Sequence, residues 1–511
     1  MNNIKRTIVN ENLSGKRLLI TGCTGFLGKV LLEKIIRSIP DVADIHLLVR
    51  GNFKYKTGKE RFNAEIATSS VFNRLKADDI EAFESFCEHK IHVVTGELTE
   101  PKFGLTENDF SALSSKIDVI VNSAASVNFR EELDKALKIN TLCLENIVSL
   151  SQLGGNLPVV QVSTCFVHGL NKGEIHEEVL APANINFPRD ENGVYLIESV
   201  VDKLQVKIAR LAKKKLSGEQ FKEALVQLGI EQSNRYGWND TYTFTKWMGE
   251  QLLIEKLQGQ SLSILRPSVI ESTLNGPVPG WIEGVKVADA VIFAYARGKI
   301  AYFPADPKGV IDIVPADIVA NGVILAMTKL FVAPGEHNIY QCCGRGSEQP
   351  TTSQLVDFLI EEGQLNYKNY PKLFKNKKPS KTFNLVSKRL FGSIVKTVDV
   401  ALNTKQHLKS LFGFESEKTT FHKNITTALQ LSTVFSFYGF PTYRFRNDKL
   451  ISLAAEMGEL GAGEFQVDPS DIDWKQYFGK NHVAGIEQYA LKETKVYSLN
   501  KSQKRRKREA A

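Results

Sequence analysis

A tyrosine four residues ahead of a lysine puts both side chains on one face of a helix. Such a pair can protonate a carbonyl oxygen as a hydride adds to its carbon, because the ammonium stabilises the phenolate that is left. The spacing occurs four times, at Tyr55–Lys59, Tyr242–Lys246, Tyr295–Lys299 and Tyr497–Lys501. Context separates them. Tyr55 lies in a Lys/Gly-rich loop, Tyr295–Lys299 spans a glycine near a helix end, and Tyr497 abuts a basic run. Only Tyr242–Lys246, in NDTYTFTKWMGEQLL, opens a well-formed helical pattern downstream of a strand ending in hydroxyl residues, VVQVSTC. Either Ser163 or Thr164 at that strand end is placed to hydrogen-bond a substrate carbonyl.

A hydride donor needs a seat, and the sequence offers one. RLLIT (17–21) reads as a buried strand that runs into TGCTGFLG (21–28) and then a helix from Phe26 to Ser38. Gly22, Gly25 and Gly28 let the chain turn tightly and bring backbone N–H groups against a pyrophosphate at a helix N-terminus. Thr21, Thr24, Phe26 and Leu27 share that loop. The second strand ends LLVRGN, with Arg50 and no carboxylate at its tip. A guanidinium there suits the 2′-phosphate of NADPH, whereas an acid would suit the ribose hydroxyls of NADH. An arginine at a strand end is also a common solvated residue.

These residues need a sheet to carry them. Short apolar runs at 45–49, 91–95, 118–122, 159–163 and 261–265 alternate with helical patterns, notably 133–150 and 241–257. That alternation predicts an α/β fold with a doubly wound parallel sheet and right-handed crossovers. Residues 171–238 interrupt it with charged, helix-forming sequence and read as a helical insertion. The expected organisation is an N-terminal arm (1–14), a dinucleotide-binding domain (15–350), a mainly helical C-terminal domain (351–500) and a basic tail (501–511).

The order TGCTGFLG, NSAASVNF (122–129), VSTCFVHG (162–169) and Tyr242–Lys246 resembles the extended short-chain dehydrogenase/reductases. The resemblance assigns Thr164 the catalytic hydroxyl position, with Ser163 beside it. It gives Asn140 a supporting role in the proton relay or at the nicotinamide. It also places Glu97–Leu98, Ser123–Ala124 and Pro267–Ser268 against the cofactor, Glu97 standing where the family often has aspartate. More narrowly, NSAASVNFREELDKALKINT, NRYGWNDTYTFTKWMGEQLL, RPSVIES, PGWIEGVKVADA, IDIVPADIVAN and YRFRNDKL resemble fatty acyl-CoA reductases of the bacterial alcohol-forming type, from about residue 15 to 498. That resemblance implies a fatty acyl-CoA or acyl-carrier-protein thioester as substrate, a fatty aldehyde on the way, and NADPH as reductant. Trp281 and Val285 are then candidates for the acyl pocket, although both types also suit a plain core.

Composition bounds the alternatives. The 511 residues are 42% hydrophobic and 24% charged, a globular balance. Six scattered cysteines form neither a disulfide framework nor a metal-ligand spacing, so no metal and a reducing, cytoplasmic setting are expected. Cys165 beside Thr164 lacks a clear activating base and reads as a small apolar residue. Of the net charge of +8, residues 501–511 supply +5. The body therefore gives no reason to expect a nucleic-acid partner, and KRRKR (504–508) suits either a solvated end or peripheral contact with anionic lipid. A sugar-nucleotide epimerase or dehydratase uses the same loop and Tyr/Lys pair, but without a long C-terminal extension. An aldehyde-releasing, one-hydride reductase shares every motif.

Overall fold

The computed structural model describes residues 7–183, 187–191, 193–286, 288–344, 349–393, 437–461 and 463–491. The tail 501–511 and its proposed lipid contact lie outside them. Seven parallel strands form the central sheet: β1 (Arg17–Thr21), β2 (Asp44–Val49), β3 (Ile91–Thr95), β4 (Val119–Asn122), β5 (Val159–Val162), β6 (Leu262–Pro267) and β7 (His337–Cys342). Their spatial order is β7-β6-β5-β4-β1-β2-β3. The chain thus winds one way from β1 and the other way from β4, and the crevice beyond their carboxyl ends is where such sheets bind ligands. In register, Thr21 pairs with Leu48 on one side and Asn122 on the other, so the three strand ends open on the same crevice.

The apolar runs form these strands because both faces are covered; every residue of β4, β5 and β6 is buried. Helix α1 (Phe26–Ser38) and helix α5 (Thr241–Lys256) follow the predicted spans, and α2 (Leu144–Leu153) ends the helical stretch that starts at Leu133. The helical insertion holds α3 (Ile197–Ala212) and α4 (Gly218–Tyr236), the latter opened by a Ser217/Gln220 capping box. It packs tightly on the start of α5: a Cβ on Gly229 would lie 2.4 Å from the Thr241 hydroxyl. Strand β7 and helix α6 (Ala316–Val332), which packs against α1, were not among the predicted elements.

Beyond residue 350 the chain contributes α7 (Thr352–Asn366), α8 (Asp448–Glu456) and a π-helical segment, Lys475–His482. Two short strands bind these parts to the first half: Asn384–Val386 pairs with Tyr302–Pro304, and Tyr443–Phe445 pairs with Gly173–Ile175. The cores are shared too. Leu450, Leu453 and Phe465 pack in one cluster with Leu18, Leu31 and Val323, and Phe445, Tyr477 and Ile486 pack in another with Phe244 and Trp247. No helix among the described residues is long and apolar enough to cross a membrane.

Candidate active site

The phosphate loop has the shape its glycines predict. Gly22 has φ +75°, and a Cβ there would lie 2.7 Å from Ala124 N and from Ser123 C. A Cβ on Gly28 would lie 2.4 Å from the Gly22 carbonyl. Gly25 caps α1 without a side-chain hydrogen bond, so no side chain competes for the amide groups of the first turn. This open helix N-terminus fits a dinucleotide pyrophosphate. Thr21 fixes the neighbouring strand: its carbonyl accepts the Ser123 hydroxyl (2.7 Å), and its hydroxyl meets the Asn122 side chain (2.5 Å) and accepts the Ala124 N–H (3.3 Å). Thr24, Phe26 and Leu27 line the partly exposed rim.

Tyr242 and Lys246 face the ends of β5 and β6 from a helix whose residues are buried continuously from Thr241 to Leu253. Asp240 starts that helix, accepting the Thr243 N–H at 2.9 Å. The Thr164 side chain neighbours the Tyr242 phenol, and its hydroxyl donates to the Pro267 carbonyl (3.3 Å) and accepts from Phe166 N–H (3.3 Å). Thr164 is thus the hydroxyl that neighbours the tyrosine, whereas the buried Ser163 hydroxyl has no hydrogen-bond partner. Burial pushes the Tyr242 phenol above its ordinary value, so it is protonated at neutral pH, as a proton donor must be. Lys246 donates to the Val162 carbonyl at 2.6 Å, and burial lowers it to about 8, against the opposing pull of Glu250.

Asn140 sits in a π-helical turn, Lys138–Leu142, which points its amide into the site. It donates to Thr245 Oγ1 (3.0 Å) and the Ser126 carbonyl (3.2 Å), and accepts the Ser126 N–H (3.0 Å). The residue therefore clamps the 123–126 loop to α5. Ser268 continues from β6 with its N–H on the Cys342 carbonyl (2.9 Å). Leu98 is buried, and Arg50 and Glu97 pair with each other (3.1 Å) at the rim.

Trp281 is buried in the core, stacked on Phe26 (5.5 Å between ring centroids) with its indole N–H on Ser70 Oγ (3.0 Å). It supports the phosphate loop from behind, and Val285 is half-buried. Cys165 donates its thiol to the Arg266 carbonyl (2.9 Å), and burial pushes it up; His168 turns Nδ1 to the Cys165 carbonyl (3.1 Å) and does not activate the thiol.

The aromatic run at 437–445 supplies residues that the motifs did not assign to the site. Tyr438 donates to Asp240 Oδ2 (2.7 Å) and packs on Phe129 and Phe166, with centroids 5.1 and 4.9 Å away. Phe129 in turn meets the Tyr242 ring edge-on (5.8 Å). Phe437 and Tyr443 pack over His168, whose ring burial drives to about 4. A cavity of about 430 Å³ shares Phe437 with this plate and is also lined by Leu170, Asn171, Gly237 and Thr442. The signal in the sequence was the density of aromatics; nothing local tied it to Tyr242.

A glycine-lined helix N-terminus at the switch point of a parallel sheet, with a Thr–Tyr–Lys constellation beside it, defines an extended short-chain dehydrogenase/reductase. Solved structures agree on the fold. The terminal R domain of a myxalamid biosynthetic pathway superposes with a TM-score of 0.58 at 17% identity, covering 93% of this chain and 90% of that one. A reductase domain of a Mycobacterium tuberculosis non-ribosomal peptide synthetase gives 0.54 at 17%, covering 94% and 95%. Two family models described as "Male sterility protein" match residues 20–323, an NAD-binding region, and 408–493. Fatty acyl-CoA reductase 2, chloroplastic, of Arabidopsis thaliana is 33% identical over 94% of this chain and 79% of its own length. The alcohol-forming fatty acyl-CoA reductase of Simmondsia chinensis is 29% identical over 94% and 98%, and fatty acyl-CoA reductase 1 of Rattus norvegicus 26% over 95% and 86%. The chain belongs to this family of male sterility proteins and fatty acyl-CoA reductases.

Proposed function

We propose that this protein reduces long-chain fatty acyl thioesters through the aldehyde to the primary alcohol, consuming two NADPH per thioester. The observation that carries the reading is the Thr164–Tyr242–Lys246 constellation, the one such group among the described residues, beside the open amides of the Gly22–Gly28 loop. Bound NADPH would supply the hydride. The protein's own part is to polarise and protonate the substrate oxygen: Thr164 and Tyr242 donate hydrogen bonds to it, and Tyr242 releases its proton as the alkoxide forms. Lys246, charged near neutral pH, favours the phenolate left behind and is placed to hold the cofactor ribose. After the first reduction the hemithioacetal collapses to aldehyde and free thiol. The aldehyde carbonyl then meets the same hydroxyls, since only the leaving thiolate distinguished the two substrates.

NADPH rather than NADH is supported by Arg50 at the tip of β2, where the one carboxylate that pairs with it comes from β3's end rather than from β2. The bacterial alcohol-forming type is the finer reading that the motifs around Asn140, Tyr242 and Arg266 support, and coenzyme A or acyl-carrier-protein thioesters both suit it. The test is stoichiometry with a long-chain acyl-CoA. The expected result is two NADPH oxidised per CoA released, little free aldehyde, reduction of added aldehyde, and parallel loss of both steps in Tyr242→Phe. One NADPH per CoA with accumulating aldehyde would instead make it an aldehyde-forming reductase, and loss of one step alone would require a second site.

A further inference from the structure

Three side chains with ligand atoms meet inside the protein, and none belongs to the reductase site. Glu271 ends the short strand Val269–Glu271, Asp289 opens the helix Asp289–Ala296, and His482 ends the segment Lys475–His482. All three side chains are fully buried. His482 Nε2 lies 3.0 Å from Asp289 Oδ1 and 3.9 Å from Glu271 Oε2, and the three atoms are within 4.8 Å of one another.

The far side of each group is held in place. Glu271 Oε1 accepts the Ala288 N–H (3.3 Å), Asp289 Oδ2 accepts the Lys286 N–H (2.6 Å), and His482 Nδ1 is 3.0 Å from Ser272 Oγ. The near side is not. Glu271 Oε2, Asp289 Oδ1 and His482 Nε2 each lack a hydrogen-bond partner, the 3.0 Å approach being without hydrogen-bond alignment. Buried polar atoms are ordinarily satisfied, and three unsatisfied ones aimed at one another in a fully buried cluster share a missing partner.

We propose that Glu271, Asp289 and His482 bind a divalent first-row transition-metal ion, zinc by preference. The donor set is one imidazole and two carboxylates, which such an ion accepts, whereas calcium would demand six or more oxygens. Ligand atoms at ~2.1 Å from a tetrahedral ion sit about 3.4 Å apart, and the observed 3.0 and 3.9 Å bracket that spacing. Ser272 on Nδ1 acts as the outer partner that keeps Nε2 free for the ion. Three protein ligands leave the fourth tetrahedral position to a small non-protein ligand, and the burial of all three closes it to substrate, so the ion is structural. It ties the C-terminal segment to the strand that follows Ser268. It also secures the loop that braces the phosphate-binding helix, where Glu283 pairs with Lys29 (2.7 Å) and Lys286 lies over the Phe26 ring (4.2 Å).

The test uses full-length, tag-free protein and elemental analysis. The expected content is about one zinc per chain, removed by a strong chelator with a fall in Tm and restored by Zn²⁺. Glu271→Gln and His482→Gln should each lower it at least tenfold. Replacing zinc with Co²⁺ should give visible d–d absorption in the wild type, a readout that survives if the variants misfold. Protein that holds no zinc as isolated and gives no stoichiometric Co²⁺ spectrum at micromolar metal overturns the site. So does metal content unchanged in both variants.

Discussion

Lys246 is buried on every side, and burial lowers it to about 8, so it is charged below that pH and neutral above it. In the proposed mechanism its charge both holds the cofactor ribose and favours the Tyr242 phenolate. The kcat/KM for NADPH, which reports the free enzyme, should therefore fall as pH rises through about 8, approaching tenfold per pH unit beyond. Lys246→Arg, charged throughout, should lose that limb in whatever activity remains; a wild-type profile flat across pH 8 would remove Lys246 as the titrating group. The proposed preference for NADPH rests on Arg50. It is more than half exposed and pairs with Glu97, which it must release to meet a 2′-phosphate. Arg50→Ala should raise the KM for NADPH roughly tenfold, about 1.4 kcal/mol, while leaving that for NADH nearly unchanged. Glu97→Gln should lower the KM for NADPH, and equal effects of Arg50→Ala on both cofactors would end the argument. Tyr242, Lys246 and Thr164 were legible because helix pitch, strand end and chain order converge on them. The Arg50–Glu97 pair and the Val162 carbonyl on Lys246 were not, since each is a contact between elements.

At the scale of elements, helix α5, which carries Tyr242 and Lys246, depends on what caps it. Asp240 accepts from the Thr243 amide and hydroxyl and from the Tyr438 phenol, and all of this is buried. Tyr438→Phe keeps the ring packing on Phe129 and Phe166 but leaves a buried carboxylate oxygen short of a donor. The cost is about 1–3 kcal/mol. We expect a lower Tm and slower turnover with the KM for NADPH little changed; unaltered Tm and turnover would show that Tyr438 does not support the helix. The strands with continuous apolar runs were readable within a residue or two. Strand β7 was not, because HNIYQC begins with polar residues at a sheet edge, and its pairing with β6 decides its conformation. The π-helical turn at Asn140 was also illegible: the sequence reads as continuous helix, and only packing against Thr245 and Ser126 shows the extra residue.

At the scale of the molecule, the change of pattern near residue 350 suggests a second domain, yet the described residues beyond it have no core of their own. Leu450, Leu453, Met457, Phe465 and Val467 complete the cluster behind β1, α1 and α6, while Leu355, Phe445, Tyr477, Phe478 and Ile486 complete the one behind α5. Sequence periodicity reports which residues of an element are buried, not which element buries them. The consequence is testable by truncation. Each large apolar side chain gains about 1.5–3 kcal/mol from full burial, and net stability is only about 5–15 kcal/mol. Removing everything after residue 350 uncovers both clusters and takes Tyr438 from Asp240. The 1–350 fragment should therefore aggregate or bind a hydrophobic dye, and NADPH should not raise its melting temperature, although every predicted cofactor residue is present in it. A soluble fragment with a cooperative melt that NADPH shifts upward would show that the dinucleotide-binding half folds by itself. The C-terminal residues would then be an addition to the reductase and not part of its core.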